Sequence, residues 1–168
     1  TIFGQATTLM RCGTQFNIST LAPPHPVWSI NNSTISRVEV YVASATLTGS
    51  GTPSPGSTIT YTLKSPGDAG LPYQLGSSFG PGPIPLGSRK LELSVDKLLE
   101  LSVSGLAPSI FKNYAGTLDT TGAATAALKI PNIPALKGTR IYSAFVTLQN
   151  GAPMGVKSIS NNFLITIT

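Results

Sequence analysis

An all-β fold, an antiparallel sandwich of the immunoglobulin-like or jelly-roll-like kind with an extended N-terminal arm, is what this sequence predicts, on three observations. Short segments alternate apolar and polar residues with a period of two, which sets one face on a core and the other toward water. Gly- and Pro-containing turns separate these segments at close intervals. No window sustains the 3.6-residue apolar stripe of a long helix. The 168 residues fit one domain with an arm to spare, and the division expected is an arm and Pro-rich linker over 1–35 and a sandwich over 36–168.

The elements follow in order. Residues 1–35 hold Cys12, Trp28 and prolines at 23, 24 and 26; three prolines remove backbone donors and favour extended geometry, so this piece reads as an arm followed by a stiff connector. From there Val38, Val40 and Val42 alternate with Arg37, Glu39 and Tyr41, giving a strand over 36–48. Turn chemistry fills 49–57, and Ile59, Tyr61 and Leu63 then alternate with threonines, so a hairpin spans 36–64. The turn at 65–70 leads to an apolar strand over 71–79, which Gly80-Pro81-Gly82-Pro83 ends. Over 89–104 leucines mix with charges, and Ser94 is placed to cap a single helical turn. Strands are expected over 114–118, 123–130 and 139–149, and a last one alternates from Phe163 to the end.

Composition narrows the function classes. Only 10% of residues are charged, against about 25% in ordinary domains. The 40% of hydrophobic residues fall in short runs, well under the roughly 18 needed to cross a bilayer, so no membrane insertion is expected. Cys12 stands alone, which leaves no internal disulfide and no cysteine-cluster zinc site. Thr1 reads as the end left by signal-peptide removal, placing the protein outside the cell or on its surface; a shortened chain is the alternative. The formal charge of +5 is scattered, with only Arg89 and Lys90 adjacent. Nucleic acid wants clustered cations with interleaved aromatics, so it is not expected as a partner; a mildly basic surface attracts acidic polymers such as envelope or matrix polysaccharide.

The segments Ser54-Pro55-Gly56-Ser57, Asp68-Ala69-Gly70-Leu71-Pro72-Tyr73-Gln74 and 77–85, followed by Tyr114-Ala115-Gly116, 130–141, Ala144-Phe145-Val146-Thr147-Leu148 and Ile159-Ser160-Asn161-Asn162-Phe163, carry a resemblance. Together they make 43–168 similar to a C-terminal β-rich domain of large secreted and surface proteins of planctomycete-type bacteria. The resemblance implies a location and a role class; the family has no established activity and no catalytic residues to carry over. Only the 1–42 segment precedes the matching region here, a departure from the family's long multidomain chains.

Chemistry-bearing residues are sparse. His25 lies between prolines without a neighbouring acid, and no phosphate loop, dinucleotide fingerprint or nucleophile elbow occurs, so neither catalysis nor a cofactor or metal is expected. Among six carboxylates, Asp68 and Asp119 sit in Gly-containing turns, where Asp serves the backbone. Asp96 and Glu100 stand four apart without the further oxygens a calcium site requires. Asn17, Asn31 and Asn32 match the N-glycosylation acceptor pattern, which also arises by chance in Ser- and Thr-rich chains.

Two functions are expected from this. The first is a non-enzymatic structural protein of the cell surface or matrix, a homopolymer whose arm, anchored by Ile2, Phe3, Leu9 and Met10, adds as a strand to a neighbouring copy; the alternative is that the arm folds back on its own sandwich. The second is a carbohydrate-binding or adhesion module with Trp28 and Tyr73 as glycan platforms, Tyr114 and Tyr142 being the other aromatics to consider.

Overall fold

The computed structural model describes residues 45–168 throughout and, before them, the backbone of two strands, β1 (Val27–Asn31) and β2 (Thr34–Glu39). The chain divides into two compact units, 1–43 and 44–168, so the boundary falls eight residues later than the expected one after residue 35. In the first unit β1 and β2 pair as an antiparallel hairpin, with Trp28 opposite Val38. The expected single strand over 36–48 is therefore two: β2 ends at Glu39, and β3 (Thr46–Ser50) begins in the second unit. The alternation of Val38, Val40 and Val42 reports the local backbone and not which sheet a strand joins, and its phase shifts before Ala45 and Leu47.

The second unit is the predicted all-β sandwich of two antiparallel sheets. The first holds β3, β4 (Thr58–Lys64), β10 (Ala123–Lys129) and β8 (Phe111–Lys112), in the order β3-β4-β10-β8. The second runs β12-β11-β5-β9, from β12 (Val156–Ile159) through β11 (Arg140–Leu148) and β5 (Pro72–Ser78) to β9 (Ala115–Thr117); β13 (Phe163–Thr166) also pairs with β11. A small hairpin, β6 (Ile84–Leu86) with β7 (Arg89–Leu91), stands apart.

Alternation fills the space between the sheets. Leu47, Ile59, Tyr61 and Leu63 enter from one side and Tyr73, Leu75, Ile141, Phe145 and Ile165 from the other, all buried. Their outward neighbours differ between the sheets. The segment that carries β6, β7 and the helix α1 (Lys97–Val103) covers the five-stranded sheet: Leu93 and Leu99 press on Gly76, where a Cβ would lie 2.8 Å from the Leu99 side chain. Arg89 holds the other end of this cover by donating to the carbonyls of Lys157 and Val156. The four-stranded sheet has no such cover among the described residues.

The helix starts two residues later than the sequence suggests. Asp96, not Ser94, is the N-cap, its Oδ1 accepting from the Leu98 and Leu99 amides at 3.0 Å each. A carboxylate satisfies these orphan donors and complements the positive end of the helix better than a hydroxyl. Ser94 instead donates to Asp96 Oδ2.

Candidate functional site

Edges are where a sandwich is open to other chains, because an edge strand presents unpaired N–H and C=O groups. Two of this molecule's edges are plugged by side chains. Beyond Gln74, β5 outruns its partner β9, and the Ser102 hydroxyl of α1 takes the strand's place, accepting from the Ser77 amide at 3.0 Å while its own proton is shared between the Leu99 carbonyl at 2.9 Å and the Ser77 carbonyl at 3.3 Å. On β3 the Asn161 amide does the same for Leu47, accepting from its N–H at 2.9 Å and donating to its carbonyl at 3.1 Å. A side-chain amide sets an acceptor oxygen beside an N–H donor, so it imitates a peptide group of a missing strand, and the second Asn161 N–H donates to the Asn162 carbonyl.

The outer edge of β9 is not plugged among the described residues. Leu75 N–H donates to Tyr114 O and Leu118 N–H to Leu71 O, which fixes the register with Tyr73 opposite Gly116. In an antiparallel ladder the hydrogen-bonding direction alternates, so Tyr114, Gly116 and Leu118 face β5 while Ala115 and Thr117 turn their N–H and C=O groups away from the sheet. Both residues are exposed.

A cavity of about 240 Å³ opens at the start of this edge, where the chain crosses from β8 to β9 through Asn113 and Tyr114. Asn113 makes the crossing in a left-handed conformation at φ 56°, which Asn tolerates. Leu101, Val103, Ala107, Pro108 and Ala115 give the cavity apolar walls, Gln74 and Asn113 supply amides, and no lining residue is charged. Leu101 and Val103 are 40% and 42% exposed and Leu106 beside them 82%, so the apolar surface continues out of the cavity.

Behind the cavity a line of hydroxyls joins the two sheets. Tyr114 Oη lies 2.9 Å from Ser77 Oγ, which lies 2.8 Å from Ser143 Oγ, itself 2.9 Å from Tyr61 Oη. Burial raises the pKa of the Tyr61 hydroxyl, against the opposing pull of Ser143, and burial together with the nearby Tyr61 raises that of Tyr114. The chain thus stays neutral and each member is satisfied by the next, which makes it a cross-brace that keeps the cavity floor rigid.

The sequence-predicted residues fare unevenly. Tyr73 is not a glycan platform: it is 4% exposed, and its hydroxyl donates inward to Asn113 O at 2.9 Å. Tyr114 is likewise buried, and Tyr142 is half-buried on β11. Tyr73 shares a strand face with Leu75, and that alternation was the signal for burial. Trp28 and Asn31 lie on β1. Ile2, Phe3, Leu9, Met10, Cys12, Asn17, His25 and Asn32 fall outside the described residues. Asp119 does serve its turn, accepting from Thr121 and Ala123, which lowers its carboxyl from the ordinary value. Asp96 has both oxygens engaged, Oδ2 accepting from Phe79 N–H, and Glu100 pairs with Lys97, so the two do not converge on a cation.

Asp68 is more than a turn residue. It is 2% exposed, and its carboxylate accepts from Ser65 Oγ at 2.6 Å and Thr147 Oγ1 at 2.8 Å while Lys157 Nζ stands at 2.9 Å. Burial alone would raise this carboxyl, but hydrogen bonds from Ser158, Ser65, Lys157 and Thr147 together outweigh it and bring the pKa down to about 2. The cluster ties the turn before β5 to β11 and to β12.

No protein-family model matches the chain, and no curated protein matches it.

Proposed function

We propose that this chain is a non-enzymatic structural subunit of the cell surface or extracellular matrix, joined to its neighbours by strand addition, with the segment 1–10 of one copy lying along β9 of the next. The observation that carries the reading is the outward-facing pair of peptide groups at Ala115 and Thr117 beside an uncharged apolar cavity, on a molecule that plugs two other edges. The occupant is matched in chemistry. Residues 1–10 contain Ile2, Phe3, Leu9 and Met10 and no Asp, Glu, Lys or Arg. Extended, ten residues reach at most about 35 Å, far more than the three residues of β9 require.

The contact is weak taken singly. Up to four main-chain hydrogen bonds at about 1 kcal/mol each and two apolar anchors at about 2 kcal/mol each total roughly 8 kcal/mol. Association consumes about 4 kcal/mol or more of this. Assembly is then concentration dependent, as suits a polymer formed where secreted protein accumulates. An extracellular location agrees with the scarcity of charge. The glycan-module reading loses Tyr73, one of its two platforms, to the core.

Negative-stain electron microscopy of the full chain, beside a variant lacking residues 1–16, tests the proposal. Regular fibres from the full chain and none from the shortened one are expected; dispersed particles from both at high concentration would refute it.

A further inference from the structure

The bare face of the four-stranded sheet carries a second assignment, independent of the β9 edge. Register puts Thr46, Thr48 and Ser50 of β3 beside Lys64, Thr62 and Thr60 of β4. The same register sets Thr62 beside Thr125 of β10 and Thr58 beside Lys129, and Lys112 of β8 lies opposite Ala127. These side chains point away from the core, since Leu47, Ile59, Tyr61, Leu63, Ala126 and Leu128 alternate with them and are buried. The outer face is therefore a flat field of short hydroxyls with three lysines on its borders.

Its charge is one-sided. No Asp or Glu lies on the four strands, and none stands within ion-pair distance of Lys64, Lys112 or Lys129 among the described residues. The nearest carboxylates along the chain are both engaged elsewhere: Asp68, four residues after Lys64, is buried with Ser65, Thr147 and Lys157, and Asp119, which precedes β10, has its Oδ1 occupied by Thr121 and Ala123. Lys112 and Lys129 are diagonal neighbours roughly 7–8 Å apart. Lys64 stands six residues along the strands from Lys129, roughly 20 Å away. That span exceeds the ~8 Å screening length at physiological salt, so one small anion cannot use both ends and only an extended polyanion can.

We infer that this face binds an anionic polysaccharide, whose acidic groups pair with the bordering lysines and whose hydroxyls meet the threonine rows between them. Two other polyanionic partners fit less well. Single-stranded nucleic acid asks for aromatic platforms, and no Phe, Tyr or Trp faces outward here. An anionic membrane rewards inserted apolar side chains, and none of the exposed large hydrophobic residues, such as Leu106, Val95 or Met154, lies on these strands.

The test compares two triple variants of the full chain with the same formal charge: K64Q/K112Q/K129Q on the face, and K90Q/K97Q/K137Q elsewhere. Binding is measured at 150 and 500 mM salt to polygalacturonate, to dextran sulfate and to uncharged dextran, with single-stranded DNA and anionic phosphatidylserine vesicles as competing surfaces. The unaltered protein is expected to bind the charged glycans and not dextran, with the polygalacturonate and dextran sulfate arms telling whether carboxylate or sulfate serves. The face variant should lose about tenfold in affinity, a three-charge electrostatic loss, and the control variant less than about threefold. Equal losses in the two variants, equal binding to dextran, or binding confined to DNA or vesicles would overturn the assignment.

Discussion

The buried carboxylate of Asp68 makes an acid-side prediction that can be worked from its contacts. Its folded pKa of about 2 lies below the 3.8 of an exposed Asp because, against the opposing effect of burial, Ser158, Ser65, Lys157 and Thr147 hold the ionised form. A depressed carboxyl gives stability that is fully present above the unfolded pKa and is lost as pH falls through the folded one. The difference is worth about 2 kcal/mol at neutral pH, and the loss falls between about pH 4 and pH 2. In Asp68→Asn the amide cannot titrate, so this part of the pH dependence disappears. The variant should be less stable than the unaltered protein by at least 2 kcal/mol at pH 7, or about 8 °C in Tm for a unit of this size. The gap should narrow toward pH 2. Thermal unfolding followed by circular dichroism from pH 7 to pH 2 reads both curves. Parallel curves, with the same gap at pH 7 and pH 2, would refute the reasoning, since they would mean that the carboxylate's charge is not what the cluster stabilises.

Other substitutions probe the plugs and the brace. Ser102→Val removes the hydroxyl that serves the buried Ser77 backbone, and a loss of about 1–3 kcal/mol is expected in chaotrope unfolding. Asn161→Asp keeps an acceptor for the Leu47 amide but presents no donor to the Leu47 carbonyl. It should cost about 1–2 kcal/mol, and a gain in stability would count against the plug. Tyr61→Phe takes one end from the hydroxyl line and leaves Ser143 still paired with Ser77, so about 1 kcal/mol is expected from thermal unfolding.

Much of the sandwich was legible because its strands are long enough to alternate. β4, β5, β10 and β11 lie where Ile59-Tyr61-Leu63, 71–79, 123–130 and 139–149 suggested. Short elements escaped. β12 is four residues, Val156-Lys157-Ser158-Ile159, and β6 and β7 flank Gly87-Ser88 in a stretch whose prolines read as turn. The candidate site was legible only in part. The strand at 114–118 was expected, but its position at the margin of a sheet depends on which strands pair, and that is a property of distant sequence. The plugs show the same limit. Nothing local marks Ser102 as the partner of Ser77, 25 residues away, or Asn161 as the partner of Leu47, 114 residues away. Asp68 was read from its turn, whereas Thr147 and Lys157, which define its chemistry, arrive from β11 and β12.

The most direct test of strand addition is a disulfide trap in the full chain, with Phe3→Cys and Thr117→Cys placed in a Cys12→Ser background and oxidised at increasing protein concentration. If the segment of one copy lies on β9 of the next, non-reducing electrophoresis gives a ladder of dimers, trimers and higher species that collapses on reduction and is absent when either new cysteine is omitted. A cross-linked monomer without a ladder would place the segment on its own sandwich, and no cross-link at any concentration would put it elsewhere; either result contradicts the account.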